Sequence, residues 1–368
     1  MFGRHSSCQA AGAECRDSAV PRNVGRSGLL IRTDFYEPSS PRTAATEAFY
    51  QPPVHLKGEE IMRKRPKVSI IIINWNGLQD TTECLESVRQ ITYENYDVTL
   101  VDNGSEGRDA HILKEGFGDW VHVIENERND GFAEGNNIGM RRALKDSDPD
   151  YVLLLNNDTI VDPAFLTELV DVAESDPEIG IVGPKIYYYD SPTRIHFAGG
   201  IYFRRTGQSS HIGQDEKDQG QFDETKETGY ITACALLIKR RVIEDVGLLD
   251  RGYFIYYEEL DWAVRAREKG HRIVFVPRAR VWHRVSRASG LNTPFYTYFM
   301  TRGRIRFVRK NASMPAFVLL FLPYFLAFRF AGPLVLFLIQ RRWRAIKALI
   351  AGTRDGMSGR LENPQTWS

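Results

Sequence analysis

The sequence is poor in cysteine and contains only four, Cys8, Cys15, Cys84 and Cys234. No two of them form a Cys-x-x-Cys pair, and none stands at a zinc-like spacing from a histidine. This pattern argues against a disulfide scaffold or a structural zinc cluster, and it favours a reducing compartment. We therefore expect the cysteines to be free thiols.

The sequence also lacks an excess of charge of either sign. Lysine and arginine together number 48 and aspartate and glutamate 47, so the formal net charge is +1. Such a chain has no global electrostatic field that would attract nucleic acid. We expect no nucleic-acid partner.

The first 66 residues lack a long hydrophobic run. They are rich in Ser, Arg, Pro, Gly and Ala, and the stretch from Ala19 to Ile31 is interrupted by Arg22 and Arg26. A secretory signal needs an apolar core, so we expect the protein not to be exported. Residues 1–66 are predicted to be a poorly ordered extension.

The rest of the chain alternates between two kinds of pattern. The stretch Val68–Asn74 is almost entirely β-branched, which is typical of a strand buried on both faces of a parallel sheet. We predict further strands at Val98–Val101, Val121–Ile124, Tyr151–Leu155, Ala233–Ile238, Ile273–Val276 and Val281–His283, and helices at Asp80–Gln90, Phe132–Leu144, Pro163–Ser175 and before Lys269. Alternating strands and helices indicate an α/β fold class.

Two of the predicted strands end in acidic residues. The strand Tyr151–Leu155 is followed by Asn156, Asn157 and Asp158, and the strand Val98–Val101 is followed by Asp102. The carboxyl ends of strands in such a sheet converge on one crevice, where oxygen ligands bind hard cations and nucleotides. Both segments are also compatible with simple turns, and that alternative stays open from each motif alone.

Five motifs in order resemble those of family 2 glycosyltransferases with the GT-A fold. They are Val68–Gly77, Val101–Ser105, Asn129–Asn137, Leu153–Asp158 and the Glu-Glu-x-Asp segment at 258–261. The Gly-Phe-Ala-x-Gly-Asn-Asn motif is most similar to the rhamnosyltransferase-like branch of bacterial cell-surface polysaccharide synthesis. The resemblance implies a Rossmann-like mixed sheet flanked by helices over residues 67–310.

The resemblance implies that this domain moves a sugar, with rhamnose the expected one, from a nucleotide-diphosphate donor to a hydroxyl group with inversion. Asp102 matches the aspartate that holds the nucleoside base, and the loop from Asn74 to Gly77 matches the backbone around the base and ribose. The expected nucleotide-binding residues are Asn74, Asn76, Gly77, Asp102, Asn103, Asn129, Gly131, Asn136, Asn137 and Asn157. For Asn136 and Asn137, hydrogen bonding on a helix face is an equal alternative.

The resemblance also implies a divalent metal site for Mg²⁺ or Mn²⁺. Asp158 matches the last acid of the family's Asp-x-Asp motif, whereas the first position is Asn156, which offers only a neutral carbonyl oxygen. His283 resembles a histidine that completes the metal site in some members. A structural histidine at a strand end is the alternative for His283.

The segment Glu258, Glu259 and Asp261 matches the family's catalytic Glu-Asp-x-Asp segment. Glu259 takes the place of the general base, which removes the proton of the acceptor hydroxyl. The alternative is that the three acids only complement the positive N-terminus of the following helix.

The C-terminal part, residues 311–368, is predicted to form amphipathic or apolar membrane-associated helices. The hydrophobic run from Pro315 to Ile339 contains Pro323, Arg329 and Gly332-Pro333, which leave charge-free parts of 14 and 10 residues. Lengths of 10–14 are typical of interfacial or re-entrant segments. Cations on both flanks favour a surface helix pair or shallow hairpin at the cytoplasmic face of the cell membrane, peripheral or re-entrant.

Such a segment fits a glycan or polyprenyl-linked acceptor at the membrane surface. A hydrophobic dimerisation pair, and hence a homo-oligomer, is the main alternative for this segment, and a single crossing is less favoured. For the whole chain, a nucleotidyltransferase would need a Gly-rich basic loop near the first strand, which Asn74 to Gly77 is not. A non-catalytic nucleotide-sugar-binding or membrane scaffold protein remains the alternative from a different class.

Overall fold

The computed structural model describes residues 65–285, 293–360 and 366–367. The expected extension at 1–66 lies almost wholly outside these residues, as do Cys8 and Cys15. Cys84 and Cys234, which are described, are both buried free thiols.

The elements alternate along the first half of the chain and then become richer in strands. The strands are β1 Val68–Asn74, β2 Tyr96–Asp102, β3 Val121–Glu125, β4 Tyr151–Asn156, β5 Thr159–Val161, β6 Ile179–Tyr188, β7 Ser191–Phe197, β8 Gly200–Phe203, β9 Gln208–His211, β10 Lys226–Glu227, β11 Ala235–Lys239 and β12 Arg272–His283. The helices up to residue 311 are α1 Leu78–Val88, α2 Asp109–Phe117, α3 Gly131–Asp146, α4 Phe165–Ser175, α5 Arg240–Val246, α6 Glu258–Glu268 and α7 Pro294–Asn311. The α/β fold class is confirmed.

One mixed sheet organises the described residues, in the order β10-β12-β6-β11-β4-β1-β2-β3. Strand β1 lies between β2 and β4 and is parallel to both, whereas β11 is antiparallel to β4 and β6. Asn74 pairs with Asp102 and Ile73 pairs with Asn156 in this register. The polar residues that end β1, β2 and β4 therefore lie at one edge of the sheet.

The centre of the sheet is covered on both faces. Ile70, Ile71 and Ile72 of β1 have no solvent exposure, and neither do Leu153 and Leu154 of β4. Burial of apolar surface contributes about 25 cal/mol per Å², and β-branched side chains suit a pleated buried surface. This explains why the nearly continuous apolar runs form the two central strands.

Two predicted strands, Ile273–Val276 and Val281–His283, are in fact parts of one strand, β12. Its pairing with β6 shifts register between Val276 and Arg280. The extra residues there include Pro277, which cannot donate to the ladder, so the pattern looks interrupted although the strand continues. The prediction of two separate strands was wrong.

The second difference concerns strand β6 and helix α2, which the residue patterns did not predict. Gly180, Gly183 and Pro184 interrupt the apolar run of β6 and hide its strand character. Helix α2 is short, and three of its residues, Ala110, Leu113 and Phe117, are buried. None of the residues that were expected to form the site lies in β6 or α2.

The hydrophobic segment after α7 forms one continuous helix, Met314–Ile339, which we call the apolar helix. Its segments Phe317–Phe321 and Phe325–Ala331 are wound as π-helix next to Pro323 and Pro333. A wider turn shifts the hydrogen-bonding register, so the missing proline N–H groups do not end the helix. The predicted interruption into a helix pair or shallow hairpin was wrong.

At 26 residues, the apolar helix is long enough to cross a membrane, and only 11% of its most apolar window is buried. A core helix of a soluble domain would be mostly buried. One stripe, Phe317, Phe321 and Phe325, packs into the core, and most of the rest faces outward.

A last helix, Trp343–Ser358, packs against α7 and is called the C-terminal helix. A Cβ atom on Gly352 would lie 2.6 Å from the carbonyl oxygen of Tyr298, so the two backbones are in close contact. The hydroxyl of Tyr298 donates to the fully buried carboxylate of Asp355 at 2.8 Å. This helix thus supports α7.

Candidate active site

The amide of Asn74 and the carboxylate of Asp102 meet at the edge of the sheet. The Nδ2 atom of Asn74 donates to Oδ2 of Asp102 at 2.7 Å, and both side chains are buried. The hydroxyl of Ser105 donates to the same carboxylate oxygen at 2.7 Å. The register of β1 and β2 brings these groups together, as expected for a nucleotide crevice at the strand ends.

The loop after β1 is tied to the turn after β2. Asn76 has a positive φ of 53°, its backbone N–H donates to Ser105 at 2.8 Å, and its Oδ1 accepts from Glu106 at 2.7 Å. A Cβ atom on Gly77 would lie 2.7 Å from Nδ2 of Asn157, which places Asn157 against the same loop. The side chain of Trp75 is 45% exposed beside them.

Asn103 and Asn129 connect this crevice to helix α3. The Nδ2 atom of Asn103 donates to Oδ1 of Asn129 at 3.0 Å and to the carbonyl of Gly131 at 3.1 Å. Gly131 has a φ of +87°, and a Cβ atom there would lie 2.5 Å from the ring of Phe254. These contacts position the loop before α6, and nucleotide binding by the two amides stays a prediction.

Asn136 and Asn137 make hydrogen bonds within the protein. Asn137 donates to the carbonyl of Leu249 at 2.9 Å and accepts from its N–H at 3.0 Å. The Nδ2 atom of Asn136 donates to the carbonyl of Phe132 in the same helix at 3.0 Å. The contacts match the helix-face alternative, and a nucleotide-binding role for either residue is still a prediction.

The pairing of strands β5 and β12 brings Asp158 next to His283. Asn157 and Asp158 turn the chain from β4 into β5, and Thr159 of β5 pairs with His283 at the end of β12. Oδ1 of Asp158 lies 3.0 Å from Nε2 of His283, and their side chains are 14% and 11% exposed. The turn formed by Asn157 and Asp158 is therefore itself part of the candidate site.

The chemistry of this pair fits a divalent cation. Oδ1 of Asp158 is buried and faces the imidazole Nε2 of His283. Burial opposes a charge on His283, but Cys234 and Asp158 raise its pKa well above its usual value. Metal binding would displace the proton from such an imidazole.

No group of three or more His, Cys, Asp or Glu residues surrounds one point in residues 65–285, 293–360 and 366–367. Mg²⁺ commonly keeps several waters and binds through one or two carboxylates plus substrate phosphates. Asp158 and His283, with Asn156 at the end of β4, therefore fit a cation that arrives with a diphosphate rather than one held by the protein alone.

A row of rings that the sequence did not reveal extends from this pair. The ring of His196 lies 5.2 Å from that of His283 and 5.2 Å from that of His211, and His211 lies 6.1 Å from the ring of Tyr230. Burial lowers the pKa of His196 to about 3 and that of His211 to about 4, so both are neutral at physiological pH. Only the low number of histidines, eight in the chain, could have drawn attention to them.

The loop before α6 has an unusual backbone. Phe254, Tyr256 and Tyr257 have positive φ values of 69°, 67° and 76°. Bulky residues rarely adopt this region, and such strain is typical of functional sites. The hydroxyl of Tyr257 donates to the carbonyl of Gly207 at 2.7 Å, which helps hold the loop.

This loop delivers Glu258 and Glu259 to the first turn of α6. Burial raises the pKa of Glu259 to about 7, and burial together with the charge of Glu259 raises the pKa of Glu258 well above its usual value. One oxygen of each carboxylate, Oε2, is buried without a hydrogen-bond partner in the described part of the chain. A carboxylate with a pKa near 7 is suited to general-base catalysis at neutral pH.

The charge of Glu259 acts on Tyr230, the last ring of this row. Burial raises the pKa of Tyr230, and the negative charge of Glu259 raises it further.

The third acid of the motif, Asp261, has no solvent exposure. Its carboxylate accepts from Nε of Arg265 at 2.9 Å and from Nζ of Lys310 at 2.9 Å. The pair with Arg265 lies within α6, and the pair with Lys310 anchors α6 to α7. A direct catalytic role for Asp261 is still a prediction.

The mixed sheet, its flanking helices and the acidic and amide groups at its edge assign this structure to the GT-A class of folds. The structure is similar to the crystal structure of GalNAc-T7 with UDP, GalNAc and Mn²⁺, with a TM-score of 0.54 and 18% sequence identity over 67% of this chain and 48% of that one. Residues 69–247 match the sequence model of glycosyl transferase family 2, which identifies this part of the chain as a domain of that family.

Two relatives share this domain at low identity. The dTDP-rhamnosyl transferase RfbF of Shigella flexneri is 24% identical over 66% of this chain and 79% of its own length. The N-acetylglucosaminyl-diphospho-decaprenol L-rhamnosyltransferase of Mycobacterium tuberculosis is 27% identical over 38% of this chain and 49% of its own. The chain spans only 26%, 63% and 18% of the length of three other curated relatives.

Proposed function

We propose that the chain is an inverting glycosyltransferase that moves a sugar from a nucleotide-diphosphate donor to a hydroxyl group of an acceptor. The observation that carries the proposal is Glu259, a buried carboxylate whose pKa is raised to about 7 and whose Oε2 atom has no partner in the described residues. A group held in this state accepts a proton at neutral pH.

The donor would bind along the edge formed by β1, β2 and β4. Asp102 and the loop from Asn74 to Gly77 would hold the nucleoside, and Asp158 and His283 would hold a divalent cation on the diphosphate. Mg²⁺ or Mn²⁺ supplies Lewis-acid stabilisation of the departing diphosphate when it is bound. The protein itself contributes a buried strand edge and holds the carboxylate of Asp158 and the imidazole of His283 in fixed positions.

Glu259 would then take the proton of the acceptor hydroxyl while that oxygen attacks the anomeric carbon. The bond from the anomeric carbon to the diphosphate oxygen breaks in the same displacement, so the configuration inverts and no covalent enzyme intermediate forms. The strained loop before α6 and the Asp261 ion pairs would keep the carboxylate in place. Fixed geometry of this kind lowers the reorganisation that the reaction requires.

Rhamnose is the proposed sugar, since both relatives named above are rhamnosyltransferases. A polyprenyl-linked or other glycan acceptor at the membrane is proposed for two reasons: the acceptor named for the Mycobacterium relative, and the exposed apolar helix of this chain. Arg341, Arg342, Arg344 and Lys347 after that helix favour the cytoplasmic face.

A non-catalytic protein that binds nucleotide sugars is the second candidate. It is favoured by one observation, the neutral Asn156 at the first metal position, which gives a cation one carboxylate fewer than an Asp-x-Asp motif would. The two candidates differ in turnover and not in donor binding.

The test uses the full chain in detergent with a panel of nucleotide sugars and Mg²⁺ or Mn²⁺, and measures release of nucleoside diphosphate. We expect turnover with one donor, loss of turnover on chelation by EDTA, and a decrease of kcat by about 10²–10⁴-fold in Glu259→Gln, because the proton acceptor is removed. Glu268→Gln, at the exposed end of the same helix, is the matched control and should retain the wild-type rate. Nucleotide binding without turnover of any donor would instead support the non-catalytic candidate.

A further inference from the structure

Arg284 follows His283 directly and ties the end of β12 to the turn that carries Asp158. Its backbone N–H donates to the carbonyl oxygen of Asp158 at 2.8 Å, and the N–H of Tyr189 donates to the carbonyl oxygen of His283 at 3.0 Å. The backbones that carry the two candidate cation ligands are therefore held by Arg284 and by Tyr189.

The side chain of Arg284 connects this strand end to helix α1. Its Nη1 atom donates to Oδ1 of Asp80 at 2.8 Å, and its Nη2 atom donates to Oε2 of Glu83. Its guanidinium carbon lies 4.1 Å from the ring centre of Tyr189. The side chain is 21% exposed, and its hydrogen bond lowers the pKa of Glu83 below the usual value. A planar guanidinium that binds two carboxylates and stacks on a ring is held in one orientation.

Helix α1 also holds the nucleoside side of the crevice. The hydroxyl of Thr81 donates to Oδ1 of Asn74 at 2.8 Å and accepts from Nδ2 of Asn157 at 2.8 Å. Thr81 and Cys84 have no solvent exposure, so close packing in the core sets the position of this helix. One helix thus contacts both the nucleoside loop and, by way of Arg284, the cation pair.

A second arginine of β12 makes an ordinary surface pair on the same strand. Arg278 lies 3.1 Å from a carboxylate oxygen of Glu168 in α4, and its side chain is 66% exposed. Exposed pairs of this kind contribute little to stability. Arg284 differs because it is more enclosed, binds two acids and is adjacent in sequence to a candidate ligand.

We infer that Arg284 is a positioning residue that fixes Asp158 and His283 against helix α1, so that a divalent cation on the donor diphosphate meets them at a set distance from the nucleoside loop. The inference rests on the proposed function and adds a residue to its donor site. Groups that orient the ligands of a metal typically change its affinity by about 10–100-fold. Arg284 itself would touch neither the cation nor the nucleotide.

The test measures binding to the full chain in detergent, with dTDP and Mn²⁺ as the probe of the cation side and dTMP in EDTA as the probe of the nucleoside side. UDP and UMP replace them if they bind the wild type more tightly. Arg284→Gln should weaken Mn²⁺-dependent dTDP binding by about tenfold or more and leave dTMP binding within twofold, because α1 and the nucleoside loop keep their buried contacts. The electron paramagnetic resonance signal of free Mn²⁺ gives the metal affinity directly and should show the same loss.

Removal of the two acids separates positioning from direct phosphate binding. In Asp80→Asn combined with Glu83→Gln, Arg284 keeps its charge but loses its anchors, so Mn²⁺-dependent dTDP binding should fall as it does in Arg284→Gln. Unchanged or tighter binding in this double variant would overturn the inference, because the freed guanidinium would then be a ligand of the diphosphate.

Arg278→Gln is the matched control on the same strand and should change neither affinity. Arg284→Lys keeps the charge without the planar fork and should recover part of the loss. Thermal unfolding verifies that each variant is folded, and the double variant decides if Arg284→Gln is not.

Equal weakening of dTMP binding and Mn²⁺-dependent dTDP binding in Arg284→Gln would mean a general loss of structure and would overturn the inference. Nucleotide binding to the wild type that does not depend on Mn²⁺ would overturn it as well. Failure of every nucleotide sugar to turn over would overturn the proposed enzyme and not this inference, since its test needs no turnover.

Discussion

The buried acids at the start of α6 show which of two physical effects dominates at a single residue. A helix N-terminus stabilises a negative charge by about 0.3–1 kcal/mol and would lower the pKa of a carboxyl group. Burial instead raises the pKa of Glu259 from 4.5 to about 7, a change worth roughly 3 kcal/mol. Burial therefore outweighs the helix dipole, and Glu258 and Glu259 are not explained as simple helix-capping charges.

The raised pKa of Glu259 predicts how stability depends on pH. Between pH 4.5 and about 7 the folded state keeps a proton that the unfolded state has lost, so the free energy of unfolding falls as the pH rises through this range. Glu259→Gln removes that loss and should be more stable than the wild type at pH 8, by an amount of the order of 1–3 kcal/mol, and equally stable near pH 4. Urea unfolding at the two pH values measures the difference.

Glu268→Gln serves as the reference in that experiment because its side chain is 52% exposed at the other end of α6. An equal stability of Glu259→Gln and the wild type at pH 8 would mean that Glu259 is ionised at no cost. It would then lack the property that makes it a candidate base.

At the scale of the element, the loop before α6 is defined by its contacts with other elements. Phe254 lies against Gly131 at the start of α3, stacks on Phe299 of α7 with ring centres 5.0 Å apart, and accepts a hydrogen bond from Ala133 at its carbonyl. The aromatic composition of this segment favours a strand when it is considered alone. Its positive φ values arise because three neighbouring elements determine its path.

Substitution of Gly131 tests this dependence. Gly131→Ala would place a Cβ atom 2.5 Å from Phe254 at a φ of +87°, so we expect the free energy of unfolding to fall by about 1–3 kcal/mol. We also expect kcat to fall, since the loop that carries Glu259 must move. Chemical denaturation and the donor assay measure the two effects.

Gly116→Ala in helix α2 is the matched control, because a Cβ atom there would have nothing within 4 Å and the residue has no positive φ. It should stabilise the protein by about 0.5–1 kcal/mol and leave kcat unchanged. If Gly131→Ala behaved like Gly116→Ala, the contact with Phe254 would not position the loop.

At the scale of the whole molecule, the C-terminal elements have two distinct tasks. The C-terminal helix packs on α7 and supports it through Tyr298 and Asp355. The apolar helix buries only one stripe and exposes large side chains such as Leu319 at 70% and Phe328 at 68%. A contiguous apolar surface of this kind marks contact with a membrane or a protein partner.

We propose membrane contact, and a charge on the exposed face tests it. Leu319→Glu combined with Phe328→Glu should reduce the fraction of protein that sediments with anionic phospholipid vesicles by at least tenfold, because a buried charge in lipid is strongly unfavourable. The thermal stability should change little, since both side chains are exposed. Ile112→Glu, at an exposed position of α2, is the control and should still sediment. A dimer that dissociates on the double substitution, with vesicle binding unchanged, would show that the exposed face is a protein interface.

The central strands β1 to β4 and the acidic residues that end β2 and follow β4 were predictable from the sequence because these depend on local patterns. The apolar runs before Asp102 and Asp158 have the β-branched or aliphatic composition of buried strands, and parallel strands align their carboxyl ends. The Glu-Glu-x-Asp segment was likewise visible as a motif. The α/β class, the family resemblance and the acids at the strand ends therefore follow from the sequence by itself.

Only the tertiary structure decided which groups are paired and which are free. His196 lies beside both His283 and His211, although His283 is more than 70 residues further along the chain than either of them. Asn103 and Asn137 look like ligand-binding amides in the sequence, yet their polar atoms bond within the fold. Burial and the partners of a polar group depend on residues distant in the chain, and these two quantities set the protonation state of Glu259.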